Sequence, residues 1–336
     1  MRLFTLLSAV WIGAATMIAQ EGHVVSVALE ARGDYQRDYV DGEAVKSDCG
    51  FKGKFLNLRV DGDINEHFSY TFRHRLNKTT FNSEFFDATD WLQLEYRPDE
   101  HWSLSGGKQV VDIGGWEYDR APIDLYFCSE FWNQIPCYQW GARVAYKFSD
   151  NDRLGFQFCQ SPFYTFTPNN DIYAYNLMWT GKHGVWKPLW SVNMMEWRQG
   201  RFINYIALGN AFDLGKVRIE LDFMNRASSH QTFLFKDCSV MGEIAYRPID
   251  KLNIFAHATY DVNRTDNECD WMVMSGTELT RIGAGIEYYP LKKYNVRLHA
   301  NYCYTWGTNT NPDGLSLNRQ SLVDVGVTWK VSIFKR

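Results

Sequence analysis

Apolar residues recur at every second position along most of this chain. Val25, Val27, Leu29 and Ala31 alternate with Ser26, Ala28, Glu30 and Arg32, and Phe68, Tyr70 and Phe72 alternate with Ser69, Thr71 and Arg73. Val217, Ile219, Leu221 and Phe223 alternate with Arg218, Glu220, Asp222 and Met224. Near the carboxyl end Val323, Val325, Val327, Trp329, Val331 and Ile333 form one face against Asp324, Gly326, Thr328, Lys330 and Ser332. A period of two puts successive side chains on opposite faces of a strand, and no stretch of similar length has a helical period. Sixteen strands are predicted, centred near residues 28, 57, 72, 92, 105, 143, 156, 176, 192, 206, 220, 242, 257, 284, 299 and 327. The spacing suits strands of ~9 to 11 residues with their connectors.

The connections alternate in length. Short polar ones fall at Asp63-Ile64-Asn65-Glu66, Pro98-Asp99-Glu100, Ser149-Asp150-Asn151-Asp152, Gly181-Lys182-His183-Gly184, Asp213-Leu214-Gly215-Lys216, Pro248-Ile249-Asp250-Lys251 and Pro290-Leu291-Lys292-Lys293. Those between are mostly longer, as at 38–50, 110–136, 263–277 and 306–318. A soluble sandwich has no reason to gather its short turns at one end, whereas a membrane barrel has short periplasmic turns and long outer loops. The predicted fold is therefore all-β: a transmembrane antiparallel β-barrel of 16 strands. Tyr96-Arg97-Pro98, Tyr246-Arg247-Pro248 and Tyr288-Tyr289-Pro290 repeat one pattern at the short-turn end. An outward Tyr there suits a membrane interface; the plainer alternative is that Pro stops strands and Tyr favours them.

Composition agrees. The 336 residues include 22 Phe, 19 Tyr and 13 Trp, which excludes a disordered chain. Helical multispan architecture is excluded because no internal apolar run approaches ~18 residues. The 35 Lys plus Arg are outnumbered by 39 Asp plus Glu, with no basic block for nucleic acid. Met1-Arg2 and the charge-free Leu3 to Ile18 stretch read as a secretory signal peptide, residues 1–19, cut after Ala19 or elsewhere between Ala15 and Gln20. A retained anchor is the alternative. Residues 20–336 are then one barrel domain.

With apolar faces toward lipid, the polar faces point inward. Parity gives twelve inward cations: Arg32, Arg59, Arg73, Arg75, Arg97, Arg143, Lys147, Arg218, Arg226, Arg247, Arg297 and Lys330. It gives nine anions: Glu30, Asp34, Asp61, Glu95, Glu220, Asp222, Glu243, Asp261 and Glu287. So many charges call for a wet lumen, since burying unpaired ions costs several kcal/mol each, and barrels of 16 to 18 strands are wide enough to hold water. The 110–136 connection, third of the long ones, carries Trp116, Tyr118, Ile123, Leu125, Tyr126, Phe127, Phe131 and Trp132. Folded back into the barrel, it would bury its apolar side and present Glu117, Asp119, Arg120 and Asp124 at a constriction flanked by Trp116 and Tyr118; alternatively it lies over the mouth or against a neighbouring protein. Seven cysteines, at 49, 128, 137, 159, 238, 269 and 303, cannot all pair within one chain. Cys128 and Cys137 are the candidate disulfide, and packing or unpaired thiols the alternative.

Gly107-Lys108-Gln109, followed by Gly114-Gly115-Trp116-Glu117-Tyr118-Asp119-Arg120-Ala121-Pro122-Ile123-Asp124-Leu125-Tyr126, resembles the stretch leading into the third loop of Bacteroidetes porins related to the phosphate-selective porin O/P family. The resemblance implies a sixteen-stranded outer-membrane porin, commonly trimeric, that passes small hydrophilic solutes. Two departures stand out. Phosphate selectivity in that family relies on a ladder of inward arginines and a lysine cluster, whereas this lining is nearly balanced. The chain also ends Ile333-Phe334-Lys335-Arg336, two basic residues past the final aromatic.

Catalytic patterns are missing from the sequence. The eight His show no HxH or HExxH spacing, His257 and His299 read as pore-lining groups, and no GxSxG elbow occurs. No metal, cofactor or enzymatic activity is expected. The expected function is passive diffusion of small hydrophilic solutes or ions through a homotrimeric porin in the bacterial outer membrane, with a weak anion preference. The alternative is an accessory barrel subunit of a larger outer-membrane assembly.

Overall fold

The computed structural model describes residues 24–78, 84–167, 171–228, 234–266, 268–291 and 295–335. The signal-peptide expectation for residues 1–19 lies outside them, as does the Lys292-Lys293 part of the last short turn.

Every predicted strand centre falls within an observed strand. The ring is built from β1 (Val24–Val40), β2 (Gly50–Asp63), β3 (Phe68–Arg75), β4 (Thr89–Tyr96), β5 (Trp102–Val110), β6 (Tyr138–Lys147), β7 (Asp152–Gln160) and β8 (Tyr173–Gly181). It continues with β9 (Trp186–Arg198), β10 (Arg201–Leu214), β11 (Val217–Ser228), β12 (Asp237–Ile249), β13 (Leu252–Asn263), β14 (Glu278–Tyr288), β15 (Val296–Thr308) and β16 (Gln320–Lys335). Each strand pairs antiparallel with its sequence neighbours. β1 closes the ring on β16, with Leu29 opposite Val331 and Arg37 opposite Val323. Closure leaves no unpaired sheet edge in the lipid. A two-residue strand, Glu43–Ala44, pairs with β1 outside the ring.

Alternation decides which way each side chain faces. On β16, Val325 is 51% and Ile333 55% exposed, while Asp324 between the outward valines is 2% exposed. On β11, Leu221 is exposed and its neighbours Glu220 and Asp222 are buried. Tyr96, Tyr246 and Tyr288, the three that precede the turn prolines, are all exposed on the outer surface. One connection breaks the alternation of lengths: β9 and β10 meet at the long-loop end through only residues 199–200, where Gly200 adopts φ +70°.

The apolar core lies inside the barrel. Val111, Ile113, Tyr118, Phe131 and Ile135 from the third long loop pack with Phe163 and Ile172 from the fourth and Met272 and Val273 from residues 264–277. They bury the inward Cys159, Ala174, Met195, Ile203, Tyr205, Ala207 and Met224 of β7–β11. The wide wet lumen expected from the charge count is thus partly filled by protein.

Candidate functional site

Two glycines admit the third loop to the lumen. Gly114 and Gly115 follow β5 and run across the inner wall, where the Gly115 N–H donates to Leu189 O at 3.2 Å. A Cβ on wall residue Gly209 would stand 2.7 Å from Gly115 Cα, and one on Gly114 would stand 2.6 Å from Leu189 O. Only glycine permits two backbones this close. Two short helices follow, α1 (Trp116–Asp119) and α2 (Glu130–Gln134).

From there the loop is fastened to the opposite wall by charged groups. The Glu117 N–H donates to Asp222 Oδ2 at 2.8 Å, and the Glu117 carboxylate accepts from the Ser129 N–H and lies 3.0 Å from His257 Nε2. Arg120 grips Glu243 through both terminal nitrogens, at 2.5 and 2.6 Å, and also reaches Glu220. Arg297 lies 2.9 Å from Asp124, Arg32 donates to Leu125 O at 2.5 Å, and Arg281 donates to Cys128 O at 3.2 Å. The alternative of a loop lying over the mouth is overturned by these contacts.

The expected constriction residues divide into two sets. Asp119 and Asp124 are exposed, and Trp116 and Arg120 are half-buried. Trp116 donates its indole N–H to Lys187 O and stacks under Arg218. Glu117 and Tyr118 are not presented to the lumen. Glu117 is 2% exposed because it binds its own loop and His257, and Tyr118 belongs to the apolar core.

Among the described residues eleven of the twelve expected inward cations are in ion pairs; Arg247 is exposed near a short turn and instead lies 5.9 Å from the Tyr289 ring. Arg59 lies 2.7 Å from Asp61, and Arg73 and Arg75 share Asp90. Arg143 lies 2.8 Å from Asp112, Arg218 contacts Asp213 and Glu220, and Lys330 lies 3.0 Å from Glu30. Arg32, between Asp34 and Asp324, is 3% exposed, so it and the loop-bound Asp222 line no water. Lys147 is a rim group rather than a lining group, bound to Asp150 on a short turn. Arg226 is the clearest correction: it is 0% exposed, buried under the loops against Asp237 and Asp270.

Sequence reasoning passed over several of the partner acids. Asp90 and Asp112 stand where strand meets loop, and Asp270 is in a loop, so parity gave them no face. A usable signal was present in Arg32/Asp34, Arg59/Asp61 and Arg218/Glu220, because residues two apart share a strand face.

Cys128 and Cys137 are not joined. Cys128 Sγ lies 3.1 Å from Asn133 Oδ1, beside the β14 wall, whereas the Cys137 carbonyl accepts from the Val111 N–H where β5 and β6 diverge. Helix α2 stands between them. Buried Asp34, His299 and Asp324 lie close enough together to ligate a metal ion. The guanidinium of Arg32 already lies 2.7 Å from Asp34 and 3.3 Å from Asp324, which supplies the positive charge those carboxylates need.

Inward groups that keep contact with water gather on one side. The Arg59 and Asp61 side chains are 38% and 35% exposed and Arg143 is 22% exposed, and Gln93, Glu95, Ser103 and Ser105 of β4 and β5 are also half-buried. The long-loop half of the β7–β11 side is dry, covered by the apolar core. A second opening at the short-turn end is a cavity of about 660 Å³ roofed by Arg120 and residues 124–127.

Comparison with known proteins agrees with this architecture. Residues 25–189, a little under half of the chain, match the family described as phosphate-selective porin O and P. No curated protein matches the sequence. Among solved structures, a loop L8 deletion mutant of OmpT from Vibrio cholerae superposes with TM-score 0.64 at 12% identity, covering 93% of this chain and all of that one. An anion-selective porin from Comamonas acidovorans gives 0.63 at 9% identity, covering 92% of this chain and 100% of that chain. OmpT of Vibrio cholerae in a trimer form gives 0.60 at 12% identity, covering 93% of this chain and 100% of that chain.

Proposed function

We propose that this outer-membrane barrel of the porin type is a passive channel whose passage is a crescent between the third long loop and the wall of β2–β6. The observation that carries this reading is the one-sided distribution of half-exposed inward polar groups around a loop fastened across the lumen. Small hydrophilic solutes diffuse through the crescent, with Asp119 on the loop side and Arg59, Asp61 and Arg143 on the wall side, while Arg120 and Asp124 line the opening at the short-turn end. A hydrated path lined by fixed charges selects by size first and by charge second.

Charge selection is weak because ion pairs cancel most of the lining. Arg153 hydrogen-bonds to the neutral Ser103 and Lys54 to the neutral Gln36, so these two cations keep their field. Asp119 opposes them and makes no ion pair among the described residues. The balance is a small anion preference, the property named for the Comamonas acidovorans relative. Assembly as a homotrimer is part of this reading, supported by the trimer form of OmpT, and so is a place in the Bacteroidetes branch of the family, supported by the Gly107 to Tyr126 stretch. Recording from purified protein in a planar bilayer tests the function: stepwise conductance with a reversal potential slightly on the anion side is expected. Absence of steps would end the channel reading.

A further inference from the structure

Arg226 is the most buried cation among the described residues, and nothing in solute passage uses it. It lies at 0% exposure between Asp237 of β12, at 3.2 Å, and Asp270 of the 264–277 loop, at 2.6 Å. Its Nη1 donates to Ser239 Oγ at 2.8 Å, and Ser239 in turn donates to Asp261 Oδ1 at 2.5 Å. Asp261 then accepts the Glu130 N–H at 2.8 Å, at the start of α2 in the third loop. The Phe131 ring of that helix lies 5.5 Å from the guanidinium. Asp270 folds its own loop by accepting the Met272 and Val273 N–H groups at 3.0 and 3.2 Å.

One wall cation therefore holds two separate outer loops. We infer that Arg226 is a positioning residue for permeation: the Arg226–Asp237–Asp270 cluster, extended through Ser239 and Asp261, clamps the third loop and the 264–277 loop together inside the barrel and so fixes the cross-section of the passage. The charge is confined with three carboxylates in a dry site, where pairing is strong and an unpaired partner is costly. The backbone hydrogen bonds of the barrel close independently of it, since β11 and β12 pair from Val217 opposite Tyr246 to Asn225 opposite Cys238. The clamp thus acts on loops laid over a wall that is already complete. This inference rests on the channel reading for its consequence, though not for its geometry.

The test compares wild type, Arg226→Met, Arg226→Lys and Asp270→Asn, each first checked for a folded barrel by heat-modifiable mobility and β-type circular dichroism. Single-channel conductance is then recorded, and reactivity of the Cys269 thiol, 2% exposed in the 264–277 loop, is measured with a water-soluble maleimide on folded protein. Arg226→Met and Asp270→Asn are expected to raise conductance at least about twofold and maleimide labelling of Cys269 at least about tenfold, with Arg226→Lys returning most of the way to wild type. Folded variants with wild-type conductance and labelling would overturn the inference. Failure of both Arg226→Met and Asp270→Asn to fold would overturn it as well, by making the cluster a requirement of the barrel itself. If wild type does not conduct, the channel reading falls and the labelling result alone decides whether the clamp exists.

Discussion

Replacing Arg120 by Ala removes the strongest charged tether between the third loop and the wall. Arg120 makes a two-pronged contact with Glu243 and a further one with Glu220, while its own side chain is 24% exposed and theirs are 11% and 9%. Charged hydrogen bonds contribute roughly 1.5 to 3 kcal/mol each, and orphaning a buried ion costs about 3 to 5 kcal/mol. Both glutamates keep a second partner, however: Glu220 retains Arg218 at 2.6 Å and Glu243 retains His257 at 3.4 Å. The loss therefore falls at the lower end, about 3 kcal/mol, which moves the balance between docked and undocked loop on the order of 100-fold. Residues 119–127 should loosen, while α2 stays anchored by Phe131 and Asp261. In planar bilayers the variant should show larger and noisier steps, with a reversal potential shifted toward cations by loss of one positive charge. Arg120→Lys keeps the charge but not the fork, and should restore the reversal potential more fully than the conductance. A folded Arg120→Ala protein with wild-type conductance and wild-type reversal potential would refute the view that this pairing holds the passage in shape.

Four further outcomes are expected. Phe131→Ala removes a side chain at 0% exposure that packs edge-on to Tyr205 at 5.8 Å; it should destabilise the loop core by about 3 to 5 kcal/mol and increase protease cleavage within 111–137, a pattern that limited digestion would read. Gly209→Val places a side chain where the Gly115 backbone runs, so a cost of about 1 to 3 kcal/mol should appear as a lowered melting temperature and altered conductance, with no change if the loop does not cross the wall there. Asp119→Asn should strengthen anion preference and Arg153→Ala weaken it, each by a few millivolts of reversal potential in a salt gradient. Finally, peptides bearing Cys128 and Cys137 should accept an alkylating label after denaturation without reductant; labelling that required reduction would mean they are joined.

The barrel was legible from the alternation of side chains alone. A side-chain period of two leaves a strand little choice of face once one side must meet lipid, so Leu221 and Val325 outward and Asp222 and Asp324 inward were readable one strand at a time. Turn chemistry fixed the neighbours, because short polar connections at alternate positions permit only antiparallel pairing of consecutive strands. The inward course of the third loop was legible in outline, since its aromatic content needed a surface to cover. What occupies the lumen was not legible. Glu117 and Arg226 carry charge like Asp119 and Arg143, and local pattern cannot tell a buried ion pair from a solvated one. That distinction depends on contacts between residues far apart in the chain: Glu117 with His257, Arg120 with Glu243, Arg226 with Asp270. Only the tertiary structure brings these together, and it decides that a lumen counted as twelve cations against nine anions is mostly neutralised and in part dry. The physical reason is the difference in range: strand faces follow from each residue's nearest neighbours in sequence, whereas charge pairing and water exclusion inside the barrel follow from which loops the closed ring has room to hold.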